Sequence, residues 1–205
     1  MPSESKFLVI EGCNGIGKST IAEYLCARVG AALFHYPVEF VSFRREVRLD
    51  ESVAPLPRLL YYLAATLHLS DLVRAQLTNR HVICDRYLAS PLSLMLGESA
   101  IEEEEARRLI QPFASYLRVP DLTLLLTAQH SVAKARIQSR SLKSGTLTPI
   151  GRRMVESKDF FEKRENACRH WAATLGPVVE LDTTDLSLEE MCRAAWLLLA
   201  PKLNW

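Results

Sequence analysis

Apolar residues fall in two patterns along this chain, short unbroken runs and longer stretches with three- and four-residue spacing. The runs are Lys6 to Ile10, Ala31 to Tyr36, His81 to Cys84, Leu122 to Leu126 and Pro177 to Leu181. Runs this short and this continuously apolar suit strands covered on both faces. Between them lie helical patterns. Ile21, Leu25 and Val29 repeat every fourth residue until Gly30 ends the helix. A long apolar helix is predicted from Leu56 to about Asn79, with Pro57 in its first turn. Ser99 and Glu102 read as a capping box that opens another helix and puts Glu102 to Glu105 in its first turn. A helix from about Ser131 carries Arg136 and Arg140, and one further helix runs from Arg152 through Trp171. Ser187 to Glu190 caps the last one. After Asp85-Arg86-Tyr87 at the end of the third run, a polar-apolar stretch to Gly97 is assigned no element, and Ser141 to Pro149 is small and polar, a mobile loop by composition. Five strands alternating with helices predict one α/β domain over residues 1–205, a parallel sheet covered on both faces. Ligands of such sheets bind at the carboxyl ends of the strands.

Composition narrows the partners. Lys and Arg number 25 against 24 Asp and Glu, so net charge makes no case for nucleic acid or a membrane surface. The first apolar run ends at Glu11, and the run Ala194 to Ala200 is too short to span a bilayer. Five cysteines with no C-x-x-C pair indicate neither a disulfide framework nor a zinc site, and the expected compartment is the cytoplasm.

The chemistry begins between the first strand and the first helix. Gly12-Cys13-Asn14-Gly15-Ile16-Gly17-Lys18-Ser19 fits the phosphate-loop pattern G-x-x-x-x-G-K-[S/T] in its strand–loop–helix setting, and Thr20 continues it. The glycines let the backbone wrap a polyphosphate with its N–H groups pointing inward, and the helix adds its positive end. Lys18 reaches the β- and γ-phosphates, and Ser19 can ligate Mg²⁺. Cys13 sits where a thiol pKa can fall, although a small residue tolerated in a loop is the simpler reading. Asp85 and Arg86 end the third strand. A carboxylate there can hold Mg²⁺ through water or stand near the attacking oxygen, and a guanidinium can grip a second phosphate, unless the two merely pair with each other.

At this point the chain resembles the thymidylate kinases. The resemblance lies in FLVIEGCNGIGKST (7–20), VICDRYLAS (82–90), PDLTLLL (120–126), SKDFFEKRE (157–165) and VELDTTDLSLEE (179–190). Deoxynucleoside kinases are the close neighbour. The resemblance implies a five-stranded sheet of order 2-3-1-4-5 with a mobile lid near residues 141–153, and ATP and Mg²⁺ at the phosphate loop. It also implies a nucleoside monophosphate opposite, dTMP first, and a homodimer, for which the helix 56–79 is a candidate surface unless it is simply core. Lys18, Asp85 and Arg86 take the catalytic places. Ile16 stands where some members carry an arginine, which passes that role to the lid at Arg152 or Arg153. Arg136 and Arg140 match the helix that packs on adenine, and Thr184 matches the loop that lines it.

The departures concern the acceptor. Asn14 replaces a common aspartate. His35-Tyr36-Pro37-Val38-Glu39 equals neither group's motif, and Tyr36 falls where deoxynucleoside kinases place a general base. Ala65 stands where thymidylate kinases carry an arginine. The acceptor candidates are therefore Tyr36, Glu39, Arg86, Tyr62 and His68, of which the aromatic ones suit the core equally well. A nucleoside or another small hydroxyl metabolite stays open as acceptor, as does a nucleotide-binding regulator without catalysis. The N-K-x-D motif of guanine-reading switches is absent.

Overall fold

The computed structural model describes residues 4–38 and 52–205. Five parallel strands, β1 (Phe7–Glu11), β2 (Ala32–His35), β3 (Val82–Asp85), β4 (Leu122–Thr127) and β5 (Val178–Asp182), form one sheet in the order β2-β3-β1-β4-β5. Every residue of β1 is buried, as the centre of a two-sided sheet demands. Fully burying each such apolar side chain contributes about 1.5–3 kcal/mol relative to leaving it in water.

The helices among the described residues include α1 (Lys18–Val29), α2 (Pro55–Leu77), α3 (Ala89–Gly97), α4 (Glu103–Ile110), α5 (His130–Ser144), α6 (Pro149–Glu156), α7 (Lys158–Leu175) and α8 (Leu188–Leu203), with a 3-10 helix at Gln111–Tyr116. Gly30, at a left-handed φ of 66°, ends α1, and the Ser187–Glu190 capping box opens α8.

Four expectations are corrected. Residues 89–97 form α3, whose apolar residues are buried almost all round, so no amphipathic period marks it. The N-cap of α4 is Glu102, with no side-chain cap bond; Ser99 precedes it at a positive φ of 52°, and Glu103 to Glu105 still occupy the first turn. Residues 141–144 continue α5, because Gly145 rather than Ser141 is its left-handed terminator. The single helix expected from Arg152 to Trp171 is two, since Ser157 leaves the helical backbone and caps α7 through the Phe160 N–H.

Parallel pairing aligns the strand ends. Ile10 lies beside Asp85 on one side and Leu124 on the other, and His35 lies beside Asp85. The loop after β1 and the turn after β3 therefore emerge next to one another. On one side of the molecule α1 packs against α8; elsewhere α3 packs along α7. Among the described residues no helix is long and apolar enough to cross a membrane.

Candidate active site

The phosphate loop is fastened from behind by packing. Gly12 has φ 131°, and a Cβ there would collide with Ile16 Cδ1 and the Leu126 carbonyl. Gly15 has φ 81° and would drive a Cβ to 2.7 Å from the Ala133 carbonyl oxygen on α5. Glycine is required at both places by conformation and by space. Cys13 and Ile16 point into the core, each 1 % exposed. They anchor the loop, and what they offer a ligand is backbone. Burial raises the Cys13 thiol pKa, so the lowering that a helix N-terminus can bring does not prevail.

Lys18 is buried and donates to the Cys13 carbonyl at 2.5 Å. Burial first, then the Arg86 charge, lowers its pKa to about 7. Ser19 Oγ donates to Asp85 Oδ2 at 2.5 Å, which ties α1 to the end of β3. Burial alone would raise the Asp85 pKa, but the Lys18 and Arg86 charges and the Ser19 bond outweigh it and hold it below its ordinary value. The other carboxylate oxygen, Oδ1, is buried with no hydrogen-bond partner among the described residues. An ionised carboxylate with one bonded and one open oxygen beside a hydroxyl is a donor set that fits Mg²⁺.

Arg86 does not pair with Asp85. It holds a positive φ of 77°, uncommon outside glycine, and from there bonds the Gly12 carbonyl at 3.0 Å, Ser90 Oγ at 2.9 Å and Asn14 Oδ1 at 2.7 Å. Beneath it Glu11, buried at the end of β1, accepts from the Tyr87 N–H at 2.7 Å and from Ser90 Oγ at 2.6 Å. Burial raises the Glu11 pKa, opposed by Ser90 and Arg86. Glu11 thus ties the turn after β3 to the loop after β1. Sequence reasoning passed it over, although a carboxylate closing a fully apolar strand is a visible signal.

Among the described residues, two cavities open on the loop. The wider, about 640 Å³, is lined by Gly15, Gly17, Thr20, Arg136, Arg140 and Lys143, with Leu186 to Leu188 opposite. Arg136 is locked by Thr183 Oγ1 at 3.1 Å, the Thr183 carbonyl at 2.8 Å and the Leu186 carbonyl at 3.1 Å. Thr184 is outside this lining, and its hydroxyl donates to Asp182 at 2.6 Å. The narrower cavity, about 210 Å³, is lined by Asn14, Tyr36, Tyr62, Arg86, Ser90 and Arg164, with Thr148 and Ile150 from the start of α6.

Of the acceptor candidates, Tyr36, Tyr62 and Arg86 share that narrower cavity. The Tyr36 hydroxyl donates to the Tyr62 carbonyl at 2.7 Å. His68 is half-buried on α2 and outside the lining, and Ala65 is fully buried in the core. Glu39 lies outside the described residues. The two arginines expected to serve a lid separate. Arg153 bonds Glu98 at 2.6 Å and stacks on Phe160 at 4.3 Å, while Glu98 also binds Arg58 of α2. Arg152 is exposed, and its side chain makes no hydrogen bond or ion pair among the described residues. Leu94, Thr148, Ile150 and Arg164 are cavity residues that the sequence did not reveal. Only Arg164 left a trace, a cation on the apolar stripe of its helix.

The thymidylate kinase family model matches residues 10–191. The thymidylate kinase of Pseudomonas fluorescens is 32% identical over 177 residues, covering 78% of this chain and 79% of the relative. That of Ectopseudomonas mendocina is 30% identical over 207 residues, covering 91% and 98%. Among solved structures, the thymidylate kinase of Candida albicans superposes with a TM-score of 0.68 at 18% identity, covering 100% of this chain and 95% of that one. A deoxyadenosine kinase from M. mycoides superposes with a TM-score of 0.70 at 19% identity, covering 95% and 99%. At such identities the two structures speak for the fold.

Proposed function

The chain belongs to the thymidylate kinase family, and from that premise we propose that it transfers the γ-phosphoryl group of ATP to dTMP, giving dTDP and ADP. One observation carries the reading. A single loop contributes to both cavities, Gly15 and Gly17 to the wide one and Asn14 to the narrow one. A donor on one side and an acceptor on the other would then meet across Lys18, which is what in-line phosphoryl transfer needs.

In this reading the wide cavity takes ATP. Arg140 and the locked Arg136 face the base, and the loop's inward N–H groups face the phosphates. Lys18 leaves the Cys13 carbonyl for the β- and γ-phosphate oxygens, whose charge favours its ammonium form. Ser19 and Asp85 would hold Mg²⁺, which supplies charge neutralisation at the donor phosphates. Arg86, already aimed by Gly12, Asn14 and Ser90, holds the acceptor phosphate, one oxygen of which attacks the γ-phosphorus as the ADP oxygen leaves. Tyr62 and Tyr36 line the acceptor's path. Arg152 is the lid arginine available for the transferring group, since Arg153 is engaged by Glu98.

The test is an ADP-release assay with dTMP, other monophosphates and thymidine offered in turn. Turnover stimulated by dTMP and hardly by thymidine supports the reading. Turnover with thymidine alone would move the protein to the nucleoside kinases, and ATP binding without transfer to any acceptor would make it a regulator.

A further inference from the structure

The narrow cavity contains a cation to which the mechanism above gives no role. Arg164 lies on α7 in the middle of its inward stripe, with Phe160, Phe161, Cys168 and Trp171. A stripe at that spacing ordinarily carries apolar side chains only. The Arg164 residue is 4 % exposed, and its Nε and Nη1 are buried without a hydrogen-bond partner among the described residues. A Cβ on Gly97 of α3 would lie 3.1 Å from Arg164 Cβ and 3.4 Å from its Cα. The missing side chain at Gly97 therefore lets the two helices close over the base of the arginine.

No hydrogen bond or ion pair to its side chain forms among the described residues, although the charge of buried Glu11 nearby favours the guanidinium. The nearby Glu11 has its carboxylate committed to Tyr87 and Ser90. Burial first, then the charge of Arg86, lowers the Arg164 pKa, as expected for two guanidinium groups facing one space. The described lining of that space holds both guanidiniums and no carboxylate. A buried, unpaired cation costs stability, and an apolar residue of similar size usually restores it. A neutral guest would leave both cations unpaired, whereas a phosphate dianion offers each an oxygen.

We propose that Arg164 is a second ligand of the acceptor's phosphate and a specificity-determining residue, so that Arg86 and Arg164 together select a phosphate dianion over an unphosphorylated nucleoside. The inference rests on the reading of the narrow cavity as the acceptor site. It adds a residue and a charge requirement that the phosphate loop by itself does not imply.

The experiment compares wild type with Arg164→Met and Arg164→Lys for melting temperature without ligand, acceptor KM and ATP KM. Arg164→Met should raise the melting temperature by about 2–8 °C by replacing an unpaired buried charge with an apolar side chain. It should raise KM for dTMP about 30-fold or more, leave KM for ATP within about twofold, and narrow the preference for dTMP over thymidine. Arg164→Lys, which keeps the charge and loses the planar fork, should fall between the two; if Arg164→Met does not fold, an acceptor KM unchanged in Arg164→Lys overturns the proposal. A lower melting temperature with unchanged acceptor KM would make Arg164 a structural residue and also overturns it. If wild type acts on a different monophosphate and Arg164→Met raises that KM, the dTMP reading falls and this inference stands. If dTMP is the acceptor and its KM does not move, this inference falls alone. A wild type that accepts only unphosphorylated nucleosides sinks both.

Discussion

On one side of the phosphate loop Gly15, Gly17 and Thr20 face a cavity of about 640 Å³; on the other Asn14 faces one of about 210 Å³. The wide side is lined by two loop glycines, by exposed arginine and lysine, by one arginine locked to carbonyls, and by the start of α8 with Leu186 before it. The narrow side is made of side chains from the loop, the turns after β2 and β3, α2, α3, the start of α6 and α7, two of them guanidiniums and most of them out of water. A polyphosphate can be held by N–H groups that every sequence possesses, so the wide side needs only spacing and glycine. Choosing among small acceptors needs placed side chains and a charge balance, so the narrow side draws on the whole fold. On the proposed assignment the donor half is the general part of the site and the acceptor half the particular one.

The contrast can be broken most forcefully at Lys18, where the loop contributes a side chain and not only backbone. Lys18→Ala should cut turnover by about 1,000-fold or more while circular dichroism stays that of the wild type, because the transferring phosphoryl loses its nearest mobile cation. Near-normal turnover in a folded Lys18→Ala protein would show that backbone alone runs the donor side. The lid comes next. Arg152→Ala should lower kcat about 100-fold, and Arg153→Ala less than about 10-fold, since Arg153 is held by Glu98 and Phe160. The reverse order would mean that the lid rearranges and releases Arg153 from Glu98 when substrates bind.

The smallest effect sharpens the electrostatics. Lys18 titrates near 7 because burial and Arg86 disfavour its charge. Below that pH the free protein already carries the ammonium; above it the amine is increasingly neutral, and ATP binding must recharge it. Calorimetric titration in two buffers of different ionisation enthalpy should show ATP binding taking up close to one proton at pH 8 and almost none at pH 6. Equal uptake at both would mean that Lys18 stays charged in the empty site.

Legibility followed the same division. The loop, the five strand runs and the caps at Gly30 and Ser187 could be read directly, because each depends on neighbours within a few residues. α3 escaped notice because nearly all of it is buried, leaving no polar face to mark a period. Ser157 looked like one more helical residue, since a break made by a cap within a continuous helical pattern shows only in backbone angles. Arg86 was visible as a phosphate ligand, but its aim depends on Gly12, Asn14 and Ser90, two of them more than 70 residues away.

What the sequence determined by itself is the reaction: a phosphate loop after a buried strand, a carboxylate–arginine pair after another, and basic residues where a lid is expected. Those features work through local geometry, which spacing encodes. Only the tertiary structure decided which side chains line the cavity proposed for the acceptor and what charge that cavity holds. It sent Ala65 into the core, kept His68 out of the cavity, tied Arg153 to Glu98, and brought Arg164 beneath Gly97 to face Arg86. The physical reason is that desolvation and pairing of a charge depend on everything packed around it, and those neighbours come from parts of the chain far apart in sequence.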